Sequence, residues 1–395
     1  MILLDDISNS LKDLKEKSLL RKRVVINSRK KNLIKINGKW LINFSNNDYL
    51  GLSQDISIKK AIINGIKKYG NGGTSSNLVS GHTEVHQNIE NITKNNIGFE
   101  SSILFSSGYL ANLGLITTIS DKDSFIYADK LNHASLNDAC ILSRAKFFRY
   151  PHNDMELLER LLKKNKTKKK KLIVTDGVFS MDGDLADIPK LVQLAQKYDA
   201  YLYIDDAHGY GVLGKNGQGI LEYFENTGPM KKIPRDRIIY TITLSKAVGV
   251  SGALVNACKN IINLVVNKSR TYIYTTAEQP ALIMGVERSF EIIKKNYSLR
   301  ERLNKSINLF RKNINKKNLL TNSITPIQPL IIESAEKTIK ISEKLNSYGF
   351  HVPAIRPPTV PNKSSRLRIS ISALHSQADI KKLTKVINKI LDNEN

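Results

Sequence analysis

The sequence predicts an α/β protein with a mostly parallel sheet flanked by helices and a smaller α+β domain at its carboxyl end. Between about residues 100 and 256, short β-branched and aromatic runs alternate with longer helix-like stretches, the pattern of a parallel sheet covered on both faces. From about residue 281 onward, lysine-rich helical segments come first and a few strands follow. The length of 395 residues suffices for two domains, and 41% hydrophobic with 25% charged residues is ordinary for a globular chain.

Taken in order, the amino-terminal stretch MILLDDISNSLKDLKEKSLL has acidic residues at once and no small-residue cleavage site, so it reads as an amphipathic helix and not as a signal peptide. We expect residues 1–45 to form a helical arm and a strand segment, 46–280 the large domain, and 281–395 the small one. The large-domain strands are expected at SILF (102–105), FIYA (125–128), KFFRY (146–150), LIVT (172–175), YLYI (201–204), IIYTI (238–242) and ALVNA (253–257). Helical patterns such as DMELLERLLKK (154–164) and ADIPKLVQLAQKY (186–198) lie between them. In the small domain, strands are expected at PLIIES (329–334), HVPAI (351–355) and RLRISIS (366–372), with a helix at 335–347. Ser376, three residues before Asp379, is placed to cap the final helix.

The bulk numbers exclude several classes. No apolar run approaches the ~20 residues of a membrane span. Cys140 and Cys258 are the only cysteines and lack CxxC spacing, which argues against a disulfide framework or zinc site and fits a reducing cytoplasm. The formal charge of +25 admits nucleic acid as a partner. The excess, however, is mostly lysine spread along the whole chain, and the densest run, KKNKTKKKK (163–171), has no interleaved aromatics and reads as a solvated loop.

Ligands of such sheets sit beyond the carboxyl ends of the strands. There the chain places SSGYLAN (106–112), a turn opening a helix whose exposed amides suit a phosphate. It also places His133, Ser180, the pair Asp205–Asp206 with His208, and Thr243 with Lys246. Each alone is an ordinary loop residue. Together, at one edge of one sheet, they suit pyridoxal 5′-phosphate: amides and hydroxyls for the phosphate, a carboxylate to keep the ring nitrogen protonated, and an amine to carry the aldehyde. One ion pair at about 4 Å and an effective dielectric near 20 is worth about 4 kcal/mol, roughly 3 pKa units. No metal-ligand spacing is present.

The sequence resembles the α-oxoamine synthases, fold-type I pyridoxal-phosphate enzymes, over about residues 20 to 390. The motifs are NDYLGL (47–52), SGH (80–82), SSGYLAN, LNHASLNDA (131–139), DGVFSMDGD (176–184), DDAHGYGVLG (205–214), TLSKAVGVSGA (243–253) and RPPTVPNKSSRLRIS (356–370). The IRPPTVP loop favours the branch that condenses L-alanine with pimeloyl-CoA or a pimeloyl-carrier protein; a relative using glycine, of the aminolevulinate synthase or aminoketobutyrate ligase type, is the nearest alternative, and a basic nucleic-acid-binding protein a more distant one. The resemblance implies that Lys246 bonds the cofactor and moves the substrate's α-proton, that Asp205 pairs with the ring nitrogen, and that His133 stacks on the ring. Ser180 and His208 would bond the ring oxygen. Ser107, Gly108, Tyr109 and Thr243 would hold the cofactor, mainly around its phosphate, with Thr276 reaching the phosphate of a neighbouring subunit. Asn47 and Arg368 would hold the amino-acid carboxylate, and Arg21 the far end of the acyl chain. A cytoplasmic homodimer is expected. Two residues depart from the family pattern, Asp176 for a usual Glu and Asn77 in GNGGTSSNLVSGH, and neither is expected to touch the proton-transfer centre.

Overall fold

The computed structural model describes residues 2–165 and 169–393. Residues 166–168, the middle of the lysine run, therefore lie outside the described residues. The chain divides into two compact units, one formed by Leu50–Ser180 and Leu185–Arg300, the other by the chain up to Tyr49, Met181–Asp184 and the chain from Glu301 on. These limits differ from the divisions expected after residues 45 and 280. The helix Pro280–Lys295 packs within the larger unit against the helix Ile56–Tyr69. Glycines permit that approach: a Cβ on Gly65 would stand 2.6 Å from Ala281 Cα, and one on Gly285 would stand 2.7 Å from Ile62.

The larger unit holds a seven-stranded sheet in the order Ser101–Phe105, Ala253–Ala257, Ile238–Thr243, Tyr201–Asp205, Lys171–Asp176, Phe125–Asp129, Lys146–Tyr150. All seven strands fall where the sequence predicts them, within a residue at each end. The last five run parallel, whereas Ala253–Ala257 is antiparallel to both neighbours. Ser101–Phe105, antiparallel to that reversed strand, therefore points the same way as the five. Four strands are buried along their whole length, which is why they read as unbroken apolar runs. Ile103, Phe105, Leu115, Val174, Tyr203 and Ile239 share the core beneath. Register decides the site: Asp176 lies opposite Asp205, so two neighbouring strands deliver their last residues at one level, and Asp205 lies opposite Thr241 of the next.

The smaller unit has a four-stranded sheet, Ser28–Lys30, Leu33–Ile36, Lys39–Asn43 and Phe350–His351, and a three-stranded one, Ile327–Glu333, Ser365–Ser370 and Ala354–Ile355. Asn37 and Gly38, both at positive φ (47° and 79°), make the two-residue turn between paired Ile36 and Lys39. HVPAI is two short strands, not one, interrupted at Val352–Pro353. Ser376 and Asp379 form a reciprocal capping box on the final helix, Gln377–Asp392. The helix Ile2–Glu16 is amphipathic, as its sequence predicts, and buries no residue.

Candidate active site

After the strand Ile238–Thr243 the chain folds back on itself within nine residues. Leu244 N donates to Gly252 O at 2.9 Å, and Gly249 N to Lys246 O at 2.9 Å. Gly249 has φ 76°, and a Cβ there would stand 2.6 Å from Ser53 N, so the tight loop needs glycine on both counts. The loop leaves Lys246 half-buried, with Nζ 2.9 Å from Nε2 of buried His208. Gly108 is similarly constrained, since a Cβ would stand 2.8 Å from Thr243 Oγ1.

Asp205 ends the neighbouring strand and is 5% exposed. Its Oδ2 accepts from Asn112 Nδ2 at 2.7 Å, and its Oδ1 from Ala207 N at 3.0 Å. Asp206 is fully buried; it accepts from Ile220 N at 2.8 Å and from the Tyr240 hydroxyl. Two carboxylates entering a strand end are costly to bury without charged partners. For Asp206 the solution is different: neutral donors hold it, and burial pushes its pKa up to about 7.

His133 caps the helix Ala134–Leu142, and its Nδ1 lies 2.7 Å from Ser135 Oγ. The residue is exposed, yet desolvation by the surrounding protein holds its pKa below the ordinary imidazole value despite Asp205 nearby. The His133 N–H donates to Asp176 Oδ2 at 2.6 Å. This corrects one expectation: Asp176 does touch the centre. Burial, with Asp205 beside it, raises its pKa well above the carboxylate range.

The remaining predicted residues are placed as follows. Ser107 caps the helix Gly108–Ile119, its Oγ accepting from Leu110 N at 3.3 Å. Tyr109 is exposed and its hydroxyl donates to Asp138. Ser180 is half-buried, four residues after Asp176. Thr276 is exposed and pairs with Ser76 in an isolated antiparallel bridge, and Asn77 opens the short π-helical turn Asn77–Gly81. In the smaller unit Arg368 is buried, donating to Ser370 Oγ at 2.8 Å and Asn47 Oδ1 at 3.3 Å. Tyr49 OH donates to the same Asn47 oxygen at 3.1 Å. Arg21 is exposed and donates to Thr359 Oγ1 at 2.7 Å. Sequence reasoning quoted but did not single out Asn112, Ser135, Tyr49 and Tyr203; the signal for Asn112 was an amide on an otherwise apolar helix start.

These donors fit pyridoxal phosphate. Asp205 is fixed by two neutral donors and shaped to accept a third bond from a ring N–H. Gly108 leaves open space where any side chain would press on Thr243, at the amino end of a twelve-residue helix. Fold and site together define a pyridoxal-phosphate-dependent transferase, and a family model, "Aminotransferase class I and II", matches residues 39–387. The chain belongs to this family and, within it, to the 8-amino-7-oxononanoate synthases. A protein of that name from Chromobacterium violaceum is 44% identical over 95% of this chain and 96% of its own, and one from Methylobacillus flagellatus is 42% identical over 98% and 96%. Among solved structures, serine palmitoyltransferase from S. paucimobilis with bound PLP has a TM-score of 0.90 at 27% identity, covering 98% of this chain and 97% of its own. The 8-amino-7-oxononanoate synthase of Francisella tularensis has a TM-score of 0.77 at 31%, covering 90% and 98%. The cofactor is pyridoxal phosphate, and the resemblance read from the motifs is borne out. Among the described residues no helix is long and apolar enough to cross a membrane.

Proposed function

We propose that the protein condenses L-alanine with a pimeloyl thioester, carried by coenzyme A or a carrier protein, to give 8-amino-7-oxononanoate, CO2 and the free thiol, a step of biotin biosynthesis, and that it does so as a cytoplasmic homodimer. The observation that carries this reading is the amine of Lys246 held 2.9 Å from His208 beside the strand that ends in Asp205. The names of the relatives supply the substrate class.

Bound pyridoxal phosphate supplies an electron sink for the substrate's α-carbon. Lys246 Nζ tethers the cofactor and then takes and returns the α-proton. His208, in contact with that nitrogen, orients it. When the cofactor is bound, Asp205 would accept from the ring nitrogen and His133 would stack on the ring. Ser180 and His208 would bond the ring oxygen. Ser107, Gly108, Tyr109 and Thr243 would hold the cofactor, mainly around its phosphate, with Thr276 reaching the phosphate of a second subunit. Arg368, fixed by Ser370 and Asn47, takes the amino-acid carboxylate. Arg21 meets the far carboxylate of the acyl chain.

The test is turnover by purified holoenzyme with pimeloyl-CoA and either L-alanine or glycine, reading CO2 and free thiol. Alanine is expected to be used at least tenfold better. Equal or better use of glycine assigns the protein to the glycine-using branch, and turnover with neither overturns the reading.

A further inference from the structure

Asn112 is buried in the second turn of the helix Gly108–Ile119, and the reaction above uses it nowhere. Its Nδ2 donates to Asp205 Oδ2 at 2.7 Å and to Ser135 Oγ at 2.8 Å, one bond for each amide proton. A carboxylate only accepts, so the nitrogen end of the amide must face Asp205. The oxygen end then faces Tyr203, whose hydroxyl donates to Oδ1 at 2.6 Å and lies 2.6 Å from Thr241 Oγ1. Burial raises the Tyr203 pKa well above its ordinary value, so that phenol keeps its proton for the bond. Thr241 accordingly donates to Tyr203, and the chain of bonds runs one way, toward Asp205.

The second branch has the same logic. Ser135 Oγ accepts a hydrogen bond from Asn112, and its own hydroxyl is left to donate to His133 Nδ1, 2.7 Å away. Ser135 N–H also points at that nitrogen, at 3.3 Å. With two donors aimed at Nδ1, the ring proton sits on Nε2. We infer that Asn112 is a positioning residue whose single amide fixes Asp205 as an acceptor and, through Ser135, fixes His133 as the Nε2–H tautomer. His133 then offers a donor and no basic lone pair at Nε2, which suits a bond to a carboxylate or thioester carbonyl and leaves base chemistry to Lys246. The charged groups that act on this ring are Asp205, Lys246 and Asp138, with Asp176 holding its backbone N–H. The inference rests on the pyridoxal-phosphate reading for its consequence, but not for its geometry.

The experiment is ¹⁵N NMR of histidine-labelled protein, with and without cofactor, the His133 signal being identified by its loss in His133→Gln. Wild type is expected to show unprotonated Nδ1 and protonated Nε2 near neutral pH. Ser135→Ala should give a mixture of tautomers, and Ser135→Thr, which keeps the hydroxyl, should restore one. Asn112→Ala should also mix the tautomers and should weaken cofactor affinity about tenfold or more, as expected on losing a hydrogen bond to a charged group. If Asn112→Ala does not fold, Asn112→Leu, close in shape but without the amide, is read in its place and should move the tautomer the same way. A purely structural role would lower the melting temperature and leave the tautomer unmoved. An Nδ1–H ring in wild type, or an unchanged tautomer in Ser135→Ala or in the Asn112 arm, overturns the inference. Because the tautomer is read in the apoprotein as well, failure of wild type to take up pyridoxal phosphate would refute the functional reading and leave this result standing.

Discussion

The two edges of the seven-stranded sheet use similar residues to opposite effect. At the carboxyl edge Asp176, Asp205, Asp206 and His208 are each at most 5% exposed, and hydrogen bonds tie each to a neighbouring residue. At the other edge Lys169 pairs with Asp123, Lys170 with Asp121 and Arg237 with Asp199, at 2.6–3.0 Å, with most of these side chains largely in water. Ion pairing is tighter on the solvated edge, yet the carboxyl pKa values are driven upward only on the buried one. Desolvation, more than the number of charges, makes an edge chemical.

The largest effects should come from the buried edge. Lys246→Ala is expected to lower turnover by roughly 10³-fold or more, because it removes both tether and base. Borohydride-treated wild type should gain the cofactor's mass and the variant should not; retained turnover would break the comparison at its strongest point. Asp205→Asn keeps a side chain for Ala207 to bond but replaces a pure acceptor with an amide. With one ion pair worth about 4 kcal/mol at about 4 Å, turnover should fall on the order of a thousandfold. A loss under tenfold would mean that the charge at position 205 is dispensable.

Why the buried edge was half legible follows from the same contrast. Strand positions were readable because runs such as LIVT and IIYTI are apolar throughout, and Lys246, Asp205 and His133 were readable because they directly follow such runs. Asn112, Ser135 and Tyr203 were not assigned, since their role exists only where two strands and two helices meet, and no spacing along the chain encodes that meeting. Asp176 was underestimated for the same reason: its bond to the His133 N–H joins residues 43 apart. Arg368 sits on a strand whose alternating pattern reads as half-solvated, RLRISIS, but Ser365–Ser370 is buried along both faces. Arg366 finds Asp182 at 2.6 Å and Arg368 finds Ser370 and Asn47, which is how two arginines enter a buried strand.

A third measurement separates burial from chemistry. His375, in the smaller unit, is buried and stacked on Phe44 with ring centres 3.9 Å apart. Its Nδ1 accepts from Ser372 N at 2.9 Å, its Nε2 lies 3.0 Å from Asn43 O, and burial lowers its pKa to about 4. The folded state thus binds its proton less readily than the unfolded chain does. Stability is full above pH ~6.5 and falls as pH drops toward about 4, by about 3 kcal/mol in all. Urea unfolding of wild type and His375→Gln at pH 7 and 4.5 should show a smaller acid loss in the variant. Equal losses would mean that burial alone does not depress this histidine.

The smallest effect is expected at the solvated edge, and it tests the comparison from below. Lys170 Nζ lies 2.7 Å from Asp121, and the pair holds the Asp121 pKa down to about 2. That displacement does not translate into stability, because the side chains are 66% and 51% exposed and water and salt screen them. Lys170→Ala should therefore cost at most about 0.5 kcal/mol in urea unfolding, an amount that shrinks further at 0.5 M salt, and should leave turnover unchanged. A loss of about 2 kcal/mol, or a clear drop in turnover, would mean that charges at this edge are coupled to the core. The lysine excess of the chain, +25 overall, would then be structural and not merely solvated.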